Sequence, residues 1–155
     1  MFNFKMFNKS IIKELPISLD KYAKCPIKTH PSDAGFDLFL PTYLPDSIEV
    51  LDTQHWIINT GVHVDIPKGY YIRISPRSST FKRFLHVEEG IIDEGYTGPI
   101  KIMVSGRSKD LKILKAEERI AQMIISPYVN PLYLCFQEKL RDKPRGSNGF
   151  GSTGK

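Results

Sequence analysis

Val62-His63-Val64-Asp65-Ile66-Pro67-Lys68-Gly69-Tyr70-Tyr71-Ile72-Arg73-Ile74-Ser75-Pro76 alternates apolar and polar side chains in two runs, with Pro67-Lys68-Gly69 between them. A period of two puts neighbouring side chains on opposite faces of a strand, and proline with glycine between two such runs marks a turn. The stretch reads as two strands joined by a tight connection. Outward from it the pattern recurs: Ile100, Ile102 and Val104 follow Gly98-Pro99, and apolar runs fall at Phe36–Leu40, Trp56–Ile58, Leu111–Leu114, Ile120–Ile125 and Leu132–Phe136. Strands at such spacing predict an all-β sandwich, barrel or jelly roll. One short helix is predicted from Ser78 to about Phe84, with Ser78 or Ser79 as its cap and Lys82 and Arg83 suited to its C-terminal end.

Length and composition bound the rest. The 155 residues make one domain at roughly 100 to 200 residues each. With 41% hydrophobic and 25% charged residues, a disordered, collagen-like or coiled-coil chain is excluded. Cys25 and Cys135 match no zinc or redox spacing, so a reducing compartment fits best. No apolar run has the length of a membrane span, and the stretch from Met1 to Phe7 lacks the features of a secretory signal, so a soluble intracellular protein is expected.

The formal charge is +5, and its placement is uneven. From Glu138 onward five basic residues stand against two acidic ones, leaving +3 of the total there. Past Leu140 the alternation stops, and residues 141–155 hold four glycines with Phe150 as the one large apolar side chain. Such a segment buries too little to offset the entropy of ordering. The organisation expected is a β body over 1–140 followed by a flexible arm over 141–155.

Several short segments could carry chemistry. Pro76-Arg77-Ser78-Ser79 ends a strand and opens the helix, so it offers a guanidinium fork, two hydroxyls and free amides to a phosphate, or serves as an ordinary cap beside a surface arginine. Asp93, in Gly90-Ile91-Ile92-Asp93-Glu94-Gly95-Tyr96-Thr97-Gly98, sits where an apolar run ends, at the mouth of a pocket, where a carboxylate can deprotonate water; a plain hairpin turn is the other reading. Gln122 could donate an amide to phosphate or act as a ladder partner. The run from Arg145 to Gly154 is glycine-rich with hydroxyls, yet it lacks P-loop spacing and flanking elements. It offers amides, hydroxyls and a guanidinium for phosphate, and the ring of Phe150 for a base. His30, His55, His63 and His86 form no ligand pattern.

In order, these segments resemble the five motifs of the trimeric dUTP pyrophosphatase (dUTPase) family, beginning at Ala34-Gly35-Phe36-Asp37-Leu38 and ending in the C-terminal Arg-Gly-x-x-Gly-Phe-Gly-Ser-Thr-Gly run. The resemblance implies a jelly-roll subunit, a homotrimer with active sites assembled from several subunits, and magnesium-dependent hydrolysis of dUTP to dUMP and pyrophosphate. It makes Asp93 the group that activates water and Tyr96 the platform that leaves no room for a ribose 2′-hydroxyl. Uracil would be read by backbone groups between Val87 and Ile92, including Gly90 and Ile91. Arg77, Ser78, Ser79, Lys101 and Gln122 become substrate contacts, and Asp37 touches Mg2+ through water while the ion rides mainly on the substrate's phosphates. Phe150 would cover the base, while Arg145, Gly151, Ser152 and Thr153 close on the outer phosphates. No stable nucleic-acid complex and no membrane partner are expected.

Two features depart from the family pattern. Ser79 stands where glycine is common, and the segment between Ser79 and Gly90 is short and lacks a Gly-Asn pair. Among rivals, the related dCTP deaminases need an acid/base group near Met103, where this sequence has a thioether. A binding module for polyanions would gain nothing from Asp93. Deleting Arg145 to Lys155 should abolish most dUTP hydrolysis while the body stays folded, measured by pyrophosphate release and circular dichroism; full activity in the truncated chain would remove the arm from the mechanism.

Overall fold

A computed structural model describes residues 12–44, 48–51, 54–107, 112–129, 134–138, 141 and 144. In chain order its strands are β1 (Ile17–Leu19), β2 (Phe36–Phe39), β3 (Ile48–Val50), β4 (His55–Asn59), β5 (Val62–Val64) and β6 (Tyr70–Pro76). The helix α1 (Ser78–Lys82) follows, then β7 (Leu85–Val87), β8 (Gly90–Ile92), β9 (Lys101–Gly106), β10 (Lys112–Leu114) and β11 (Arg119–Pro127). Every strand pairing is antiparallel. One sheet runs β2-β11-β6-β8, a second β4-β9-β7, and two ribbons join β1 to β5 and β3 to β10. The fold is a jelly roll.

Alternation does what the sequence requires of it. In β9, Ile102 and Val104 are buried while Lys101 and Met103 face out; in β6, Ile72 and Ile74 are buried. Leu38, Val50, Ile58, Val62, Leu85, Leu114, Ile120 and Met123 bring β2, β3, β4, β5, β7, β10 and β11 onto the same core. Gly61 turns the chain between β4 and β5 with φ +70°, and a Cβ there would press on Tyr22 and Ala23, so only glycine fits.

Three sequence expectations change. The helix forms, but Ser78 and Ser79 lie inside its first turn; Arg77 occupies the cap position in extended conformation and makes no side-chain cap bond. Its side chain is committed elsewhere, and the buried Thr80 hydroxyl donates to the Ile120 carbonyl and ties α1 to β11 instead. The run at 132–136 forms no strand over its described residues, and Leu134 and Phe136 are 98% and 94% exposed. The three-residue strands β1, β3, β7 and β8 were not among the strands expected, whereas β5 and β10, equally short, lie within longer apolar or alternating runs. The expected arm residues Arg145, Phe150, Gly151, Ser152 and Thr153 lie outside the described residues, as does the Phe-rich N-terminus. No helix among the described residues is long and apolar enough to cross a membrane.

Ile102 is fully buried at the centre of β9. Ile102→Ala should cost about 2–5 kcal/mol of unfolding free energy, measured by chemical denaturation.

Candidate active site

Two groups of polar residues stand on the β2-β11-β6-β8 sheet. The first gathers where β6 runs into α1. Arg77 Nε donates to Asp37 Oδ1 at 2.7 Å, and its Nη1 donates to the carbonyl of Arg119 at 2.9 Å. Arg119 Nη1 donates to Asp37 Oδ2 at 3.1 Å. Asp37 is only 8% exposed and therefore needs this pairing. One carboxylate between two guanidinium groups leaves a net positive charge beside the exposed hydroxyls of Ser78 and Ser79, which favours an anion. Gln122 lies between Asp37 on β2 and Ser75 on β6, and its Nε2 donates to the Pro76 carbonyl at 3.0 Å, bracing the turn that presents Arg77. A Cβ at Gly35 would displace the end of the Gln122 side chain.

The second group lies beyond β8. A cavity of about 230 Å³ is lined by Ile74, the β8 residues Gly90 to Ile92, Asp93, Tyr96, Pro99, Lys101 and Met103. Strand β8 is an edge: among the described residues it pairs with β6 alone, so alternate N–H and C=O groups on its outer side are open to a ligand. Asp93 follows β8 directly and is exposed. The Tyr96 amide closes the turn by donating to the Asp93 carbonyl at 3.0 Å, and the Tyr96 hydroxyl donates to the Pro99 carbonyl at 3.0 Å. That ring lies over Gly98, where a Cβ would collide with it.

Gly90, Ile91, Ile92, Asp93, Tyr96 and Lys101 are thus brought together, and Arg77, Ser78, Gln122 and Asp37 are brought together apart from them. Val87 lies outside the cavity wall, buried in β7 opposite Val104. The two groups are far apart in one chain. Ile92 pairs with Ile72, which sets Asp93 level with Tyr71, whereas Arg77, just past the end of β6, lies six residues further on. At the strand rise of about 3.3 Å per residue the backbone positions are roughly 20 Å apart. Arg77 also reaches sideways toward β2, away from β8.

The family model for dUTPase matches residues 21–154. The chain belongs to the dUTPase family. It is 35% identical over 139 residues to the deoxyuridine 5′-triphosphate nucleotidohydrolase of Chlamydia pneumoniae, covering 88% of this chain and 94% of that one. To the mouse protein of the same name it is 34% identical over 140 residues, covering 90% and 83%. Among solved structures, the dUTPase of Staphylococcus bacteriophage 80alpha with dUPNHPP superposes with a TM-score of 0.77 at 28% identity, covering 92% of this chain and 99% of that one.

In this dUTPase chain two residues that the sequence did not single out complete the picture. Arg119 opens β11 and shares Asp37 with Arg77; its place as the first residue of a strand after Glu118 was the available signal. Glu94 carries no such signal. Its Oε2 accepts from the Gly69 amide at 2.6 Å and from the Tyr128 hydroxyl at 2.9 Å. Those donors, with Lys68 nearby, hold its carboxyl below the ordinary value of 4.5 against the opposing effect of burial. On the other side of the turn, His63 Nδ1 lies 3.0 Å from the Thr97 carbonyl and so carries the proton there, while Nε2 lies 3.4 Å from Asp20.

A lowered carboxyl value means Glu94 favours the fold above the unfolded-chain value and loses that contribution as pH falls through its folded value. Carboxyl NMR should place Glu94 below 4.5, and Tyr128→Phe should move it upward by removing one donor.

Proposed function

We propose that this chain hydrolyses dUTP to dUMP and pyrophosphate. The observation that carries the reading is Asp93 at the mouth of a cavity walled by the open edge of β8 and by Tyr96. A pocket of about 230 Å³ is below the roughly 300 Å³ at which whole-ligand sites begin, so it suits the base and sugar and leaves the phosphates outside. Backbone donors and acceptors on Gly90 to Ile92 would face uracil, whose N3–H donates and whose O4 accepts. Cytosine reverses both roles and would leave groups unpaired. The Tyr96 ring, held by its bond to Pro99, would pack under the deoxyribose and crowd a 2′-hydroxyl.

The chemistry follows from placement. Asp93 takes a proton from water; the water oxygen bonds to the α-phosphorus, the bond from that phosphorus to the α–β bridging oxygen breaks, and pyrophosphate leaves. Arg77, oriented by Asp37, would bear on the developing charge with Ser78 and Ser79, and Gln122 would hold their turn. Among the described residues no three carboxylate, imidazole or thiol groups converge as a metal cage. Both oxygens of Asp37 already accept from arginines, so its fit to Mg2+ is through water only. A hard cation with phosphate oxygens and retained waters as its ligands is compatible with that donor set. When bound, magnesium supplies charge neutralisation on the triphosphate. Residues 141–155 would close over the nucleotide as an arm, bringing Arg145, Phe150, Gly151, Ser152 and Thr153.

A homotrimer with shared sites is part of this reading. The carboxylate and the arginine must meet on one triphosphate, and about 20 Å of β6 separates them within a chain. A second copy supplies the missing half. The nearly bare side chains of Leu134 and Phe136 are consistent with a partner surface.

Asp93→Asn should lower turnover by about 10²–10⁴ while dUTP binding persists, read by pyrophosphate release and calorimetry. Co-refolding Asp93→Asn subunits with Arg77→Ala subunits should restore part of the activity; a mixture as inactive as its parents would place both residues in a single-chain site.

A further inference from the structure

The carboxylate of Asp93 accepts no hydrogen bond from any described residue, so its aim is set by the backbone that carries it. That backbone is a turn, and turns are ordinarily the most mobile part of a sheet protein. The residue after Asp93 is tied down unusually well. Glu94 Oε2 collects the Gly69 amide and the Tyr128 hydroxyl, and the Tyr128 amide in turn donates to the Gly69 carbonyl at 3.0 Å. Three segments distant in sequence close into one ring: the turn after β8, the turn before β6, and the residue beyond β11. Gly69 has φ +83°, a left-handed conformation that glycine adopts without strain. On the far side of the same turn the Thr97 carbonyl is held by His63.

We infer that Glu94 is a positioning residue for catalysis: its carboxylate clamps the turn to Gly69 and Tyr128 and so fixes the direction from which Asp93 presents itself to the attacking water. This rests on the reading of Asp93 as the base. Glu94 lines a neighbouring cavity with His63, Asp65 and Thr97 and lines no part of the Asp93 cavity, so it acts without touching the substrate. The bonds are charge-assisted, which makes them stronger than the neutral bonds of an ordinary turn. A displacement of about 1 Å at a reacting group can cost on the order of 10² in rate, so loss of the clamp should appear in kcat rather than in affinity.

The test uses the full chain with dUTP. Glu94→Ala should lower kcat about tenfold to a hundredfold and leave KM within about threefold, and Glu94→Gln, which retains an acceptor oxygen, should recover most of the loss. Tyr128→Phe removes one donor, keeps the carboxylate and should fall between Glu94→Ala and the parent. Parent-like kcat in a folded Glu94→Ala chain overturns the proposal, as does a rise in KM matching the whole loss. If Glu94→Ala does not fold, Tyr128→Phe decides, and parent-like kcat there overturns it. Asp93→Asn run in parallel separates the two levels. If that variant turns over normally, the assignment of the base is wrong; if it is inactive while Glu94→Ala is normal, only the clamp is wrong.

Discussion

Strand β6 is paired to β11 along all seven of its residues and to β8 along three, which makes it the fixed ruler of the molecule. Arg77 leaves from one end, and Asp93 stands level with the other. Close-packed neighbours on both sides prevent the strand from bending enough to bring those ends together. That separation is what the proposed function has to accommodate. On the proposed reading, each subunit would carry one half of a site and association would bring the halves together.

Each of the two groups is held in place by a different device. At the arginine end, a buried carboxylate is made tolerable by two guanidinium groups, and the same pairing that removes the cost of burying Asp37 also orients Arg77. At the aspartate end, Asp93 has no such partner among the described residues, and order comes from its neighbours: the Tyr96 amide closing the turn, the Glu94 carboxylate on Gly69 and Tyr128, and His63 on Thr97. The backbone of the turn, rather than hydrogen bonds to the carboxylate itself, therefore sets the direction of the Asp93 side chain.

Much of this was legible in the residues. Alternation in β5, β6 and β9 marked the strands and their buried faces, and those assignments match the burial of Val62, Val64, Ile72, Ile74, Ile102 and Val104. The three-residue strands β7 and β8 were not visible, whereas β5, equally short, was found because the alternation continues past it to Ile66. The helix was found with its cap misassigned: Ser78 and Ser79 have the chemistry of caps, and the commitment of Arg77 to Asp37 is a long-range fact that no local rule contains.

The sequence by itself determined the sheet-forming pattern and the chemical inventory, because side-chain period and functional groups are properties of neighbours along the chain. Asp93, Tyr96, Arg77 and Gln122 were on view in that inventory. Only the tertiary structure decided that Arg119 and Asp37 hold Arg77, that Glu94 ties its turn to Gly69 and Tyr128, and that Asp93 and Arg77 lie at opposite ends of one strand. The hydrogen bonds and ion pairs among them join residues 25 to 82 positions apart. Partners so distant meet only through sheet register and packing, which a reading along the chain does not contain.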